Sequence, residues 1–178
     1  MTEKCFFRKH AILLTLLLVL AILGMIFFFS SQEGEDSSRT SGRIVRLMLS
    51  IFYPAYESMD SERLSMISEK MTLIIRKTAH FTEYAFLGFS LYLHVLSWMT
   101  RRVIRRPGLL SLFVGALYAA SDELHQTLVS GRSGKVLDVL LDSAGVLFGI
   151  ILLWGIRWLI EKQRKRKKEH PQSSPCVR

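Results

Sequence analysis

Apolar residues run from Ala11 to Phe29, broken only by Thr15 and Gly24. At about 1.5 Å per residue this run covers roughly 28 Å, the thickness of a hydrocarbon core. With its flank the first span occupies about 10–29, and three more apolar segments follow at about 78–99, 108–128 and 136–160. Polar residues interrupt each of the later three, always toward one end. A soluble domain of 178 residues can bury one core but cannot hide four such runs from water. The pattern predicts an all-α membrane protein, a four-helix transmembrane bundle over residues 1–160 with a basic tail at 161–178. The first run exceeds a signal peptide's apolar region of roughly 7–15 residues and no small-residue cleavage site follows, so it reads as a retained span.

Between the first two spans, Ile44, Leu47, Met48, Ile51 and Phe52 share one helical face, with Arg43, Arg46 and Ser50 opposite. That is the pattern of a short amphipathic helix in the interface, ended by Pro54. Asp60 or Ser61 can cap a second outer helix, in which Leu64, Ile67, Met71 and Ile74 repeat at helical spacing. Nothing breaks that spacing before the second span, so the two can join as one helix. Two roles remain open for these outer helices, a rim cover or a lid over polar residues.

Charge then orients the bundle. The segment before the first span carries a net +2, the arginines Arg101, Arg102, Arg105 and Arg106 between spans two and three +4, and the stretch from Arg157 onward +6. Residues 30–77 sum to zero, against a whole-chain +9. Positive charge marks the cytoplasmic side, which puts both termini inside. The basic stretch Lys162 to Lys168 is then a topology determinant that attracts anionic lipid, and no nucleic-acid partner is expected. Residues 171–178 read as a disordered end. Cys5 and Cys176 fall in the reducing compartment and predict no disulfide. Trp98, Trp154 and Trp158 read as inner-interface anchors, and His10 and His94 as packing or interfacial histidines.

The polar residues of the last three spans converge. Lys77, His80, Tyr84 and Leu87 share a helical face, with Glu83 at its edge. The third span ends in Asp122, Glu123, His125 and Gln126, and the next loop carries Arg132. The fourth span places Asp138 and Asp142 one turn apart, with Gly145 and Gly149 continuing the stripe. Counted from the inner arginines at about 1.5 Å per residue, all of these lie in the outer third of the bilayer. A carboxylate at mid-membrane costs on the order of 2.5–3.5 kcal/mol, so the group should face inward, with Lys77, Arg132 and the histidines as partners. A register-fixing salt-bridge network needs one or two pairs; five carboxylates, two histidines and an arginine point to a functional pocket. No cofactor motif is present. A divalent metal is the one exception the residue types admit, with His80, Glu83, Asp122, His125, Asp138 and Asp142 as candidate ligands.

Lys77-x-x-His80-Phe81-x-Glu83-Tyr84, Asp122-Glu123-x-His125-Gln126, Gly131-Arg132, Asp138-x-x-x-Asp142 and Gly145-x-x-x-Gly149 together resemble the VanZ-like family of bacterial membrane proteins. The Phe29-Ser30-Ser31-Gln32 exit from the first span fits as well. Ser130 departs from the proline that many relatives place before Gly-Arg. The resemblance implies a multi-pass protein of the bacterial plasma membrane, linked to teicoplanin resistance as is the family's founding member. Three functions compete. The pocket binds a lipid-anchored ligand such as a peptidoglycan precursor or the lipophilic glycopeptide. Alternatively, it acts on a lipid-linked headgroup, with His125 or His80 as acid or base and Glu123 or Asp122 orienting it. A third reading is an ion-coupled transporter.

Overall fold

The computed structural model describes residues 2–32, 34–52, 60–98 and 106–169, and these form helices joined by short turns, with no strand among them. In chain order they are α1 (Thr2–Ser30), α2 (Gly34–Phe52), α3 (Ser61–Trp98), α4 (Pro107–Gln126) and α5 (Val136–Glu169). Pro54, the arginines Arg101, Arg102 and Arg105, Cys176 and the end beyond Glu169 lie outside the described residues, as does the side chain of Cys5.

The expected second outer helix and second span are one unbroken helix of 38 residues, α3. From Ser61 to Leu87 it contains neither glycine nor proline, so nothing in the sequence offers a hinge. Likewise the basic stretch 162–168 is not a separate tail but the continuation of α5, with Lys162 Nζ 4.8 Å from the centre of the Trp158 ring. At the other end of the bundle Pro107 opens α4, where a missing N–H leaves no bond unmade.

α3 is the hub, against which α1, α2, α4 and α5 all pack, α5 most extensively. Glycines explain the α3–α5 closeness. A Cβ at Gly145 would sit 2.5 Å from the Phe81 carbonyl oxygen, and one at Gly149 would overlap the backbone of Ala85. The core between the helices is made of Ile26 from α1, Tyr84 and Leu87 from α3, Ala119 from α4 and Val146 from α5, all fully buried. α1 buries the stripe Val19, Ile26 and Ser30, with Ile22 and Leu23 partly buried against the core, while Leu13, Leu14, Leu17, Leu20, Phe27 and Phe28 point outward.

Helices Phe6–Ser30 and Val136–Lys168 are long and apolar enough to cross a membrane; where four spans were expected, two of the described helices pass that test. In α3 and α4 polar residues, Glu83, Asp122 and Glu123 among them, interrupt the apolar run. α2 packs on α3 through Val45 and Leu49 and leaves Leu47, Ile51 and Phe52 exposed, as an interfacial helix would.

Candidate functional site

Helical spacing delivers the polar residues to one place. On α3 a single face carries His80, Tyr84 and Leu87, and packing that face on the bundle buries Tyr84 and Leu87 completely. Close α3–α5 contact at the glycines draws Asp142, on the same stripe of α5, to 1% exposure. The end of α4 supplies Asp122, Glu123 and Gln126, all buried. After α4 the chain turns at Gly131, whose φ of 72° favours glycine, and Arg132 follows immediately.

A cavity of about 210 Å³ opens between these elements. Its walls are Leu73, Arg76, Lys77 and His80 from α3, Glu123 and Gln126 from α4, Gly131, Arg132, Ser133 and Lys135 from the loop, and Asp138, Leu141 and Asp142 from α5. Among the described residues none from α2 lines it, and the outer part of α3 forms that wall.

The pairing inside differs from the expected salt bridges. Lys77 and Asp138 do form an ion pair. Asp122, however, is held by neutral donors from three helices. Ser30 Oγ (2.8 Å), Tyr84 Oη (3.1 Å) and Gln126 Nε2 (3.2 Å) all donate to its Oδ2. Glu123 accepts the Lys135 backbone N–H at 2.6 Å, which ties the loop to the end of α4. Among the described residues Arg132 pairs with no carboxylate but donates from Nη2 to the Phe29 carbonyl at 3.1 Å. Its Nε and Nη1 are buried without a partner. Burial, with Arg76 nearby, pulls the Arg132 guanidinium below its ordinary pKa.

Nine of the eleven expected residues therefore meet here: Lys77, His80, Tyr84, Asp122, Glu123, Gln126, Arg132, Asp138 and Asp142. Seven of the nine line the cavity, and Tyr84 and Asp122 join them through the Asp122 hydrogen bonds; Glu83 and His125 do neither. Glu83 lines a second groove with Met25 of α1 and Met48 of α2. His125 lies against Phe27 of α1, ring centres 5.0 Å apart. The placement of His94 fits its packing role, its Nδ1 being 2.9 Å from Thr15 Oγ1 of α1. Ser30, Arg76 and Lys135 were not anticipated. A serine at a helix exit reads as a turn, and only its place in the Phe29-Ser30-Ser31-Gln32 motif singled it out. As for metals, His80, Asp122 and Asp142 each offer a ligand atom, all within 4.8 Å of one another.

A family model described as VanZ/LLP1 matches residues 15–159. This chain belongs to the VanZ/LLP1 family. Comparisons with curated proteins and with solved structures give no match. Every residue that lines the cavity falls within the VanZ/LLP1 stretch, whereas the basic end of α5 from Lys162 onward lies beyond it. The site thus belongs to the part of the chain that defines the family, and Ser30 of α1 is included in it.

Proposed function

We propose that this VanZ/LLP1 protein crosses a bacterial plasma membrane four times, termini inside, and binds a lipid-anchored anionic ligand in its outer polar cavity. The observation that carries the reading is the cavity's charge arrangement. Arg76, Lys77, Arg132 and Lys135 line it together with Glu123, Asp138 and Asp142, and Arg132 retains two buried donor nitrogens without partners among the described residues. An unsatisfied buried guanidinium is costly, and a phosphate or carboxylate presents the paired oxygens that its fork accepts. Leu109, Phe113, Leu117 and Leu124 on α4 are exposed, an apolar face that suits lipid better than water and supports a crossing by α4. A ligand anchored in that same lipid would arrive at the cavity with its headgroup at the right depth. A lipid-linked peptidoglycan precursor or a lipophilic glycopeptide such as teicoplanin has this form, which connects the pocket to the resistance role implied by the family.

Binding by the purified full chain in detergent tests the reading. A lipid-linked peptidoglycan precursor or teicoplanin should bind, and Arg132→Ala should weaken binding by about tenfold or more, the worth of a charge-assisted hydrogen bond. Expression in a sensitive host should raise teicoplanin tolerance. Absence of binding to both ligands, with unchanged susceptibility, would sink the proposal. If the cavity instead performs acid–base chemistry, His80 and not His125 is the histidine that supports it, since His80 lines the cavity beside Asp142.

A further inference from the structure

We infer that His80, Asp122 and Asp142 bind one divalent transition-metal cation at the inner end of the cavity. The inference goes beyond headgroup binding and does not require it. Three helices bring one ring nitrogen and two carboxylate oxygens within 4.8 Å of one another, a spread that ligands sharing one cation can close. Asp142 is 1% exposed, yet its Oδ1 has no hydrogen-bond partner, and His80 Nδ1 is buried in the same condition. Buried polar atoms are nearly always satisfied, and a bare carboxylate oxygen is among the costliest exceptions. A cation bound through these two atoms would satisfy both at once.

Asp122 adds an independent indication. Among the described residues its three donors, Ser30, Tyr84 and Gln126, all fall on Oδ2. A carboxylate clamped through one oxygen presents the other in a fixed direction, which is how an outer shell of hydrogen bonds orients a metal ligand.

The donor set selects the ion. Calcium takes six to eight oxygens and magnesium strongly prefers an all-oxygen octahedron, so an imidazole among three ligands suits neither. One nitrogen with two carboxylates and no thiolate suits Mn²⁺, Fe²⁺ or Zn²⁺. Three protein ligands leave coordination positions open, and two of the three, His80 and Asp142, line the cavity. The open positions therefore face the space into which Arg132 and Lys77 also project, where an anionic oxygen could complete the shell.

Manganese alone, with no lipid ligand, is the probe. The full chain is purified in detergent, stripped with chelator and titrated with Mn²⁺ while the free-ion resonance signal is followed. One Mn²⁺ per chain should bind, with competition by Zn²⁺. Asp142→Asn and His80→Gln should each weaken binding about tenfold or more, while Glu62→Gln, on the exposed start of α3, should bind as the parent does. Thermal unfolding gives a second readout, because a ligand of the native state raises the midpoint. Mn²⁺ or Zn²⁺ should raise the parent's midpoint and leave that of His80→Gln where it was. A parent that neither binds nor is stabilised by either ion overturns the inference, as does undiminished binding by Asp142→Asn. Because lipid is absent throughout, failure here leaves the headgroup proposal standing, and failure of headgroup binding leaves this one.

Discussion

At Asp122 a carboxylate meets two hydroxyls and an amide, and those neutral donors offset much of its loss of water. Tyr84→Phe removes one of them while keeping the ring in the core. A hydrogen bond to a charged group contributes about 1.5–3 kcal/mol, and the two remaining donors place this one at the lower end. The thermal midpoint in detergent should fall accordingly; an unchanged midpoint would mean that the Tyr84 hydroxyl contributes nothing. The residue scale is also where the sequence was hardest to read. His80 and Tyr84, Asp122 and Gln126, and Asp138 and Asp142 are four apart, and each pair stayed with the site. Glu83 and His125 are three residues beyond His80 and Asp122, and both left it. At about 100° per residue, positions three and four on fall about 60° and 40° to opposite sides of the starting residue. Spacing shows that both edges are close, but only the neighbouring helices decide which edge turns inward. Ser30 was obscure for a different reason, since a hydroxyl at the end of an apolar run becomes meaningful only once Asp122 is placed beside it.

Elements were legible where periodicity was long. The unbroken spacing through residues 61–98 foreshadowed a single α3, and the Gly145, Gly149 stripe foreshadowed a close helix contact without naming its partner. That partner is α3, and the contact leaves no room for a methyl group. Gly149→Ala should therefore destabilise the bundle by about 1–3 kcal/mol, the usual cost of overpacking. Gly24→Ala is the matched comparison, since a Cβ there meets nothing within 4 Å. It should be neutral or stabilise by up to about 1 kcal/mol through helix propensity alone. Unfolding both variants in the same micelles checks the pair, and equal stabilities would show that α3 and α5 can simply move apart. What periodicity could not supply was the role of α2. Its amphipathic pattern fits a lid and a rim equally, and the choice depended on which side of α3 it occupies.

At the scale of the whole molecule, hydropathy identifies two spanning helices and the charge distribution argues for four. The disagreement has a physical source, because polar residues that build a site lower the mean apolar character of the helices carrying them. Single cysteines in a background with Cys5 and Cys176 replaced by serine would decide it. Glu62→Cys and Ser133→Cys should react with an impermeant maleimide on intact cells, and Arg106→Cys and Lys165→Cys only after lysis. Arg106 separates the alternatives, because its labelling from outside would leave only α1 and α5 as spans.

The meeting of three helices at Asp122 also bears on how such a chain can be made. On the proposed four-span topology helices enter the membrane in the order of synthesis, so the hydroxyls of Ser30 and Tyr84 are present before α4 emerges. Neutral hydroxyls wait in a bilayer at modest cost, whereas a lone carboxylate does not. Chain order thus places the tolerant groups first and brings the demanding one to partners already in position. On that topology a chain lacking α1 would deliver Asp122 into lipid with one donor fewer, which would make the first helix part of the insertion pathway as well as of the finished site.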